Sequence, residues 1–205
     1  MPRVTADIAI SLDGYGAGPG QTEDTPMGTG FEQAHRWMFD AADENASEIE
    51  AILGHGAYIM GRNMFGPIRG EWPDDGAWKG WWGPEPPYHA PVFVLTHHAR
   101  DPLEMDGGTV FHFVTDGIED AFARAVDVVG DDGSISIAGG TETLRQYLIA
   151  GLVDELRLHV APFVAGAGEN LFDGLEEVTL TPTSARATPL VTHLTYDVAG
   201  PRSSA

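Results

Sequence analysis

Two adjacent glycines, Gly139 and Gly140, stand between the apolar run Ile135–Ala138 and a helix-like stretch that begins at Thr141. A helix that starts at a strand end turns free backbone N–H groups, and the positive end of its dipole, toward whatever lies beyond the strand. A diphosphate can approach those donors only where no Cβ intervenes, which is what a glycine pair permits. Thr141 could cap the helix and add a hydroxyl. Alone, the pair reads more readily as a tight turn with a capping threonine. Two further junctions change that balance. Gly61-Arg62 follows the apolar Ala57–Met60 and offers a second close-approach glycine beside a guanidinium able to grip phosphate. Thr96-His97-His98-Ala99-Arg100 follows PVFVLT and forms a basic island in a chain with 31 acidic residues against 11 lysines and arginines. Arg62 could equally pair with a surface carboxylate, and the two histidines could be solvated. Three strand ends with phosphate-compatible chemistry together suggest a dinucleotide that carries an extra phosphate.

A fourth strand end, Ser11-Leu12-Asp13-Gly14, ends in a carboxylate. Asp13 could bind a substrate hydroxyl or ring nitrogen, or relay a proton if burial raised its pKa. Asp-Gly is equally a turn dipeptide, and the two readings carry equal weight. Other chemistries find no support. Adjacent His97 and His98 point opposite ways on an extended chain and do not chelate, no metal-ligand spacing occurs, and no nucleophile elbow or P-loop is present.

The elements that must position these residues follow from periodicity. Val4 to Leu12 alternates apolar and polar residues, which predicts a strand, and the glycines between Gly14 and Gly20 predict a flexible loop. Phe31–Leu53 is predicted helical in two pieces, the second opened by an Asn45/Glu48 capping box and closed by Gly54. Strands are expected at Ala57–Met60, Pro91–Thr96, Thr109–Val114 and Ile135–Ala138. Helices are expected at Gly117–Val129, with an Asp116/Glu119 capping box and a Gly130 stop, and at Thr141–Ala150. Alternation resumes at Leu156–Ala161 and Leu190–Val198 without intervening helices. Strands alternating with helices, then strands alone, predict an α/β fold: a mainly parallel central sheet with helices on both faces and an antiparallel C-terminal edge. Residues 1–199 read as a single domain and 200–205 as a disordered tail. The segment Glu71–His89 holds Trp72, Trp78, Trp81 and Trp82. It could lid the cleft, or pack its indoles into a satellite cluster or against a second subunit.

Composition narrows the partners. The chain of 205 residues is 42% hydrophobic and 20% charged, as soluble domains are. A net charge of −20 repels phosphodiester backbones and anionic lipid, so neither nucleic acid nor membrane is an expected partner. The absence of cysteine excludes disulfides, thiolate metal sites and a cysteine nucleophile, and no metal is expected. No secretory signal is evident, and a cytoplasmic location is the expectation.

In their order along the chain, ISLDG, YIMGRNMF, PVFVLTHHAR, IAGGTETLRQYL and LVDELRLHVAPFVAGAGENLF resemble the dihydrofolate reductase fold. More closely, they resemble the reductase domain of the bifunctional riboflavin-biosynthesis deaminase/reductase and its stand-alone relatives. The resemblance implies a dihydrofolate-reductase-like α/β fold, NADPH as cofactor, a small-molecule substrate and a homodimer. It implies that Gly61 and Arg62 lie on the adenosine-phosphate side, and that Thr96, His97 and Arg100 hold the 2′-phosphate region. Gly139, Gly140 and Thr141 would then hold the diphosphate, with Ser11–Gly14 bordering nicotinamide and substrate. The implied reaction is hydride transfer to a C=N bond, which in the riboflavin enzyme turns a ribosylamino-pyrimidine into its ribityl form; a pterin reductase and a non-catalytic cofactor-binding module are the alternatives. The chain departs from the pattern at Met64, where the reductases carry threonine, and near Asn45, where dihydrofolate reductases carry a pterin-binding carboxylate. No deaminase zinc motif is present.

Overall fold

The computed structural model describes residues 1–66, 69–73, 78–175 and 177–199. Its elements run β1 (Arg3–Ser11), β2 (Tyr15–Ala17), α1 (Arg36–Phe39), α2 (Ala46–Leu53), β3 (Ala57–Gly61), α3 (Arg62–Phe65), β4 (Pro91–Leu95), β5 (Leu103–Glu104), β6 (Val110–Val114), α4 (Ile118–Val129), β7 (Ser134–Ile137), α5 (Thr141–Ile149), β8 (Glu155–Ala161), β9 (Glu169–Asn170), β10 (Thr179–Thr188) and β11 (Val191–Ala199). Nine strands form one sheet in the order β10-β11-β8-β1-β7-β3-β4-β6-β5. The six strands from β8 to β6 in that order pair in parallel, while β10, β11 and β5 pair antiparallel at the edges. The expected mixed sheet with an antiparallel C-terminal edge is therefore the observed one. The sequence reading misses β10, whose Thr, Ser, Ala and Pro residues give no apolar alternation; all but Leu180 and Thr188 are exposed.

Parallel pairing puts the C-terminal ends of β1, β7, β3, β4 and β6 along one rim of the sheet. One face of the sheet is sealed by α4 and α5, through Ala121, Ala125, Leu144, Tyr147 and Leu148 against Val4, Ala6, Ile59, Ile135 and Ile137. The other face is covered in two parts. Beside β3 and β4, the tryptophan-rich segment supplies Trp72, Trp78 and Tyr88, which pack with Tyr58, Phe65 and Phe111. Trp78 Nε1 donates to the Phe65 carbonyl (3.0 Å) and Trp72 Nε1 to the His98 carbonyl (2.8 Å). Those two indoles are structural, whereas Trp81 and Trp82 stay partly exposed; residues 74–77 lie outside the described residues, as does the tail at 200–205.

Beside β1, β8 and β11, the second part is polar. The alternation of β1 suggests a solvent face, yet Thr5, Asp7, Ala9 and Ser11 are all buried. Asp7 pairs with Arg157 (2.9 Å) on the neighbouring strand. Trp37 of α1 lies against the rings of His159 and His193. Asn45 does not cap α2: its amide nitrogen donates to the carbonyls of Trp37 and Ala41, and its oxygen accepts from His193 Nε2 (2.8 Å). A neutral His193 then accepts through Nδ1 from His159 Nδ1 (2.7 Å). Burial, followed by the neighbouring His159, pushes the His193 pKa down to about 4, which keeps it neutral at pH 7. The Asp116/Glu119 box is also absent. Gly117 precedes α4 with no side-chain cap, although Gly130 does end that helix, at φ 68°.

Candidate functional site

A cleft of about 480 Å³ opens at the C-terminal rim, between the ends of β3, β4 and β6 and the start of α5. Gly61, Arg62, Thr96, His97 and Gly140 all line it, so three of the four expected junction segments share one cavity. The first two corners are tied directly, the Gly61 N–H donating to the Gly139 carbonyl (2.7 Å). A Cβ placed on Gly139 or Gly140 would meet no atom within 4 Å. The glycine corner is therefore bare and faces open space. The Leu144 N–H takes the Gly140 carbonyl (3.1 Å) as the first α5 bond, leaving the N–H groups of residues 141–143 without intrahelical acceptors.

Thr141 corrects the sequence reading. Gly140 is the N-cap residue and Thr141 makes no capping bond. Its side chain turns away from the cleft toward Gly16, where a Cβ would collide with the Thr141 hydroxyl. The residue that faces the cleft is Thr143, one position pair further along the helix, and its hydroxyl oxygen packs over Gly61. The glycine loop after β1 is likewise packed rather than free, with Gly16 against α5 and Gly18 against Gly28.

Arg62 stands on a platform. Its guanidinium carbon lies 3.8 Å from the centre of the Trp72 ring, and its Nε and one terminal nitrogen are buried with no hydrogen-bond partner. Buried guanidinium N–H groups without an acceptor are costly. Burial pulls the Arg62 pKa below its usual value, although a guanidinium remains protonated at pH 7. Thr96 is buried, and its hydroxyl accepts from the His98 N–H (3.1 Å), shaping the turn that leaves His97 exposed at the cleft. His98 Nδ1 lies 2.9 Å from a Glu71 oxygen. Arg100 is a second correction. Its guanidinium donates to the Trp78 carbonyl (2.8 Å) and sits among the Phe65, Trp72 and Phe113 rings, outside the cleft lining. A chain that turns after β4 carries Arg100 beneath the tryptophan segment, where the Trp78 carbonyl accepts its hydrogen bond.

Asp13 is the third. Its carboxylate accepts from the Ser11 hydroxyl (2.6 Å) and from the N–H groups of Ala165 (2.9 Å) and Gly166 (2.8 Å). These bonds, the serine's foremost, pull its pKa from 3.8 to about 2, opposite to the rise a proton relay needs. The residue clasps the loop after β1 to the loop after β8 and is absent from the cleft lining. A carboxyl depressed on folding contributes stability above its unfolded pKa and loses it as pH falls through the folded one. Asp13→Asn is therefore expected to melt below the parent protein at pH 6, with the difference in Tm closing as pH approaches 2. A difference in Tm that persists unchanged to that pH would return the loop clasp to an uncharged role.

Several lining residues escaped the sequence reading: Thr115, Gly117, Thr143, Arg69, Gln146 and Glu169. One signal was present, since Thr115-Asp116-Gly117 repeats the strand–glycine–helix pattern between β6 and α4. The others arrive from loops and helix faces whose approach no local pattern encodes. Among the described residues no grouping of three or more His, Cys, Asp or Glu could hold a metal ion, and no helix is long and apolar enough to cross a membrane.

Comparison with known proteins places this geometry. The chain matches the RibD C-terminal domain family over residues 2–194. No curated protein matches it in sequence. Among solved structures, a candidate riboflavin biosynthesis protein of Shewanella sp. PV-4 superposes with a TM-score of 0.66 at 21% identity, covering 96% of this chain and 99% of that one. RibD of Acinetobacter baumannii gives 0.60 at 17% identity over 97% of this chain, which spans 58% of that longer protein. Dihydrofolate reductase of Enterococcus faecalis, solved with NADP(H), gives 0.56 at 14% identity, covering 96% of each chain. The fold is thus dihydrofolate-reductase-like.

Proposed function

The chain belongs to the RibD C-terminal domain family, and from that premise we propose that it is an NADPH-dependent reductase acting on a C=N bond of a small nitrogen heterocycle. One observation carries the reading: the bare Gly140 corner, the orphaned nitrogens of Arg62 and the His97–His98 turn open on the same cleft. These residues suit a phosphorylated dinucleotide. Gly139 and Gly140 admit a diphosphate to the N–H groups opening α5; Arg62, Arg69, His97 and His98 offer charge and donors to a further phosphate at the β3/β4 end. NADPH supplies the hydride when bound. The chain binds and orients the two reactants, and Trp72 holds the Arg62 guanidinium flat against the cleft wall. With Asp13 ionised and bonded to backbone, the proton that completes the reduction comes from solvent in this reading.

The Enterococcus dihydrofolate reductase solved with NADP(H) supports the choice of nicotinamide, and the Saccharomyces riboflavin biosynthesis reductase (TM-score 0.53, 15% identity) supports the reaction class. A pyrimidine of the riboflavin pathway is the first ring system to try. We read residues 1–199 as one domain, because strands from both ends of the chain share one sheet. A homodimer fits the long exposed edge at β10, and a cytoplasmic location fits a cysteine-free chain. Stopped-flow oxidation of NADPH with pyrimidine and pterin substrates tests the proposal. Tight NADPH binding without turnover on any of them would favour a cofactor-binding module instead.

A further inference from the structure

We propose that Glu71 tunes how strongly the cleft selects a cofactor with an extra phosphate, by holding a competing carboxylate against the groups that would bind it. The inference rests on the NADPH reading above and adds to it a residue that works against the phosphate. Arg62, Arg69, His97 and His98 line the β3/β4 end of the cleft. Glu71 follows Arg69 by two positions, and its carboxylate meets this group. Glu71 Oε1 lies 2.9 Å from His98 Nδ1, within hydrogen-bond distance. Its charge also reaches Arg62. Burial is the main cause of the lowered Arg62 pKa; Glu71 opposes it by attraction, while Arg69 and Arg100 add to it as like charges. Three guanidiniums thus repel one another here, and Glu71 offsets that repulsion. An anion is stable at this spot, and it belongs to the protein.

The surroundings keep this carboxylate beside the cleft. The next residue, Trp72, donates from Nε1 to the His98 carbonyl (2.8 Å), packs edge-on against Phe65 and Phe113, and lies under the Arg62 guanidinium (3.8 Å). The backbone at Glu71 therefore cannot withdraw without disturbing the platform of Arg62. The Glu71 side chain itself can turn, being 86% exposed. His98 does not depend on it for placement, because the Thr96 hydroxyl accepts from its N–H (3.1 Å) and Trp72 holds its carbonyl. A phosphate arriving at His98 and Arg62 turns the carboxylate aside and meets two costs. The Glu71–His98 bond is given up, and a like charge stays nearby. A cofactor with a plain ribose hydroxyl at that position meets neither. Selectivity is a difference between two affinities, set by repulsive elements as well as attractive ones. Arg62 widens the preference for NADPH over NADH, and Glu71 narrows it.

Glu71→Gln tests this in the full chain, with NADPH and NADH titrated in parallel by fluorescence. Glutamine keeps an acceptor for His98 Nδ1 and removes the charge. NADPH is expected to bind about three- to tenfold more tightly, the scale set by one exposed like charge beside a phosphate. NADH affinity is expected to stay at the parental value. The gain for NADPH is expected to shrink in ~0.5 M salt, where exposed charges are screened. A residue that only anchored the loop would instead weaken both cofactors together. NADPH binding that is unchanged or weaker in Glu71→Gln, or an equal gain for NADH, overturns the inference and leaves the cofactor reading standing. A parent protein that fails to bind NADPH sinks that reading, and this inference with it.

Discussion

Gly140→Val is expected to remove cofactor binding from a protein that still folds. The backbone at this position has φ −68° and ψ −169°, extended geometry that a β-branched residue accepts. A Cβ there meets nothing within 4 Å, so the fold has no neighbour to push aside. The volume gained by the side chain is the volume a diphosphate needs in order to reach the α5 N–H groups. Affinity for NADPH is expected to fall by at least about 100-fold, equivalent to about 3 kcal/mol, with Tm nearly unchanged. Fluorescence titration beside a thermal melt separates the two effects. A folded variant with parental affinity would remove the phosphate role of this corner. Gly139 makes a poorer probe, because its φ of +103° would strain any side chain irrespective of ligand.

Arg62→Ala is the second large effect, and it is expected to be selective. A charge-assisted hydrogen bond contributes about 1.5–3 kcal/mol, so NADPH affinity is expected to fall about 10- to 100-fold. NADH, which lacks the extra phosphate, is expected to lose much less. Arg62→Lys is expected to fall between, since an ammonium keeps charge but not the planar fork stacked on Trp72. Equal losses for NADPH and NADH would contradict the phosphate role. Removing the guanidinium also uncovers one face of Trp72, so a melt of each variant accompanies the titration.

Much of the frame was legible in the residues. Parallel strands buried on both faces read as short apolar runs, and α4 is bounded by Gly117 and Gly130, whose positive φ favours glycine. The glycine-bearing junctions after β3 and β7 followed from chemistry that depends only on backbone without a Cβ. Side-chain direction was not legible. Thr141 and Thr143 differ by two positions on a helix, nearly opposite in azimuth, and only the packing of Gly16 against α5 decides which one faces the cleft. Asp13 looked like a buried acid, yet its environment is made by two N–H groups from residues 165 and 166, more than 150 positions away in the chain. Arg100 lay in the basic island by sequence and under an aromatic cluster in space.

The sequence by itself determined the alternating α/β order, the glycine positions at Gly61, Gly139 and Gly140, and the exclusion of thiolate chemistry, because each depends on residue type and short spacing. Only the tertiary structure decided that the corners at Gly61 and Gly140 share one cleft with Arg62, Arg69, His97 and His98, and that Asn45 joins a buried histidine network instead of capping a helix. Such outcomes arise where distant segments meet, and the energies that fix them belong to the contact rather than to either segment.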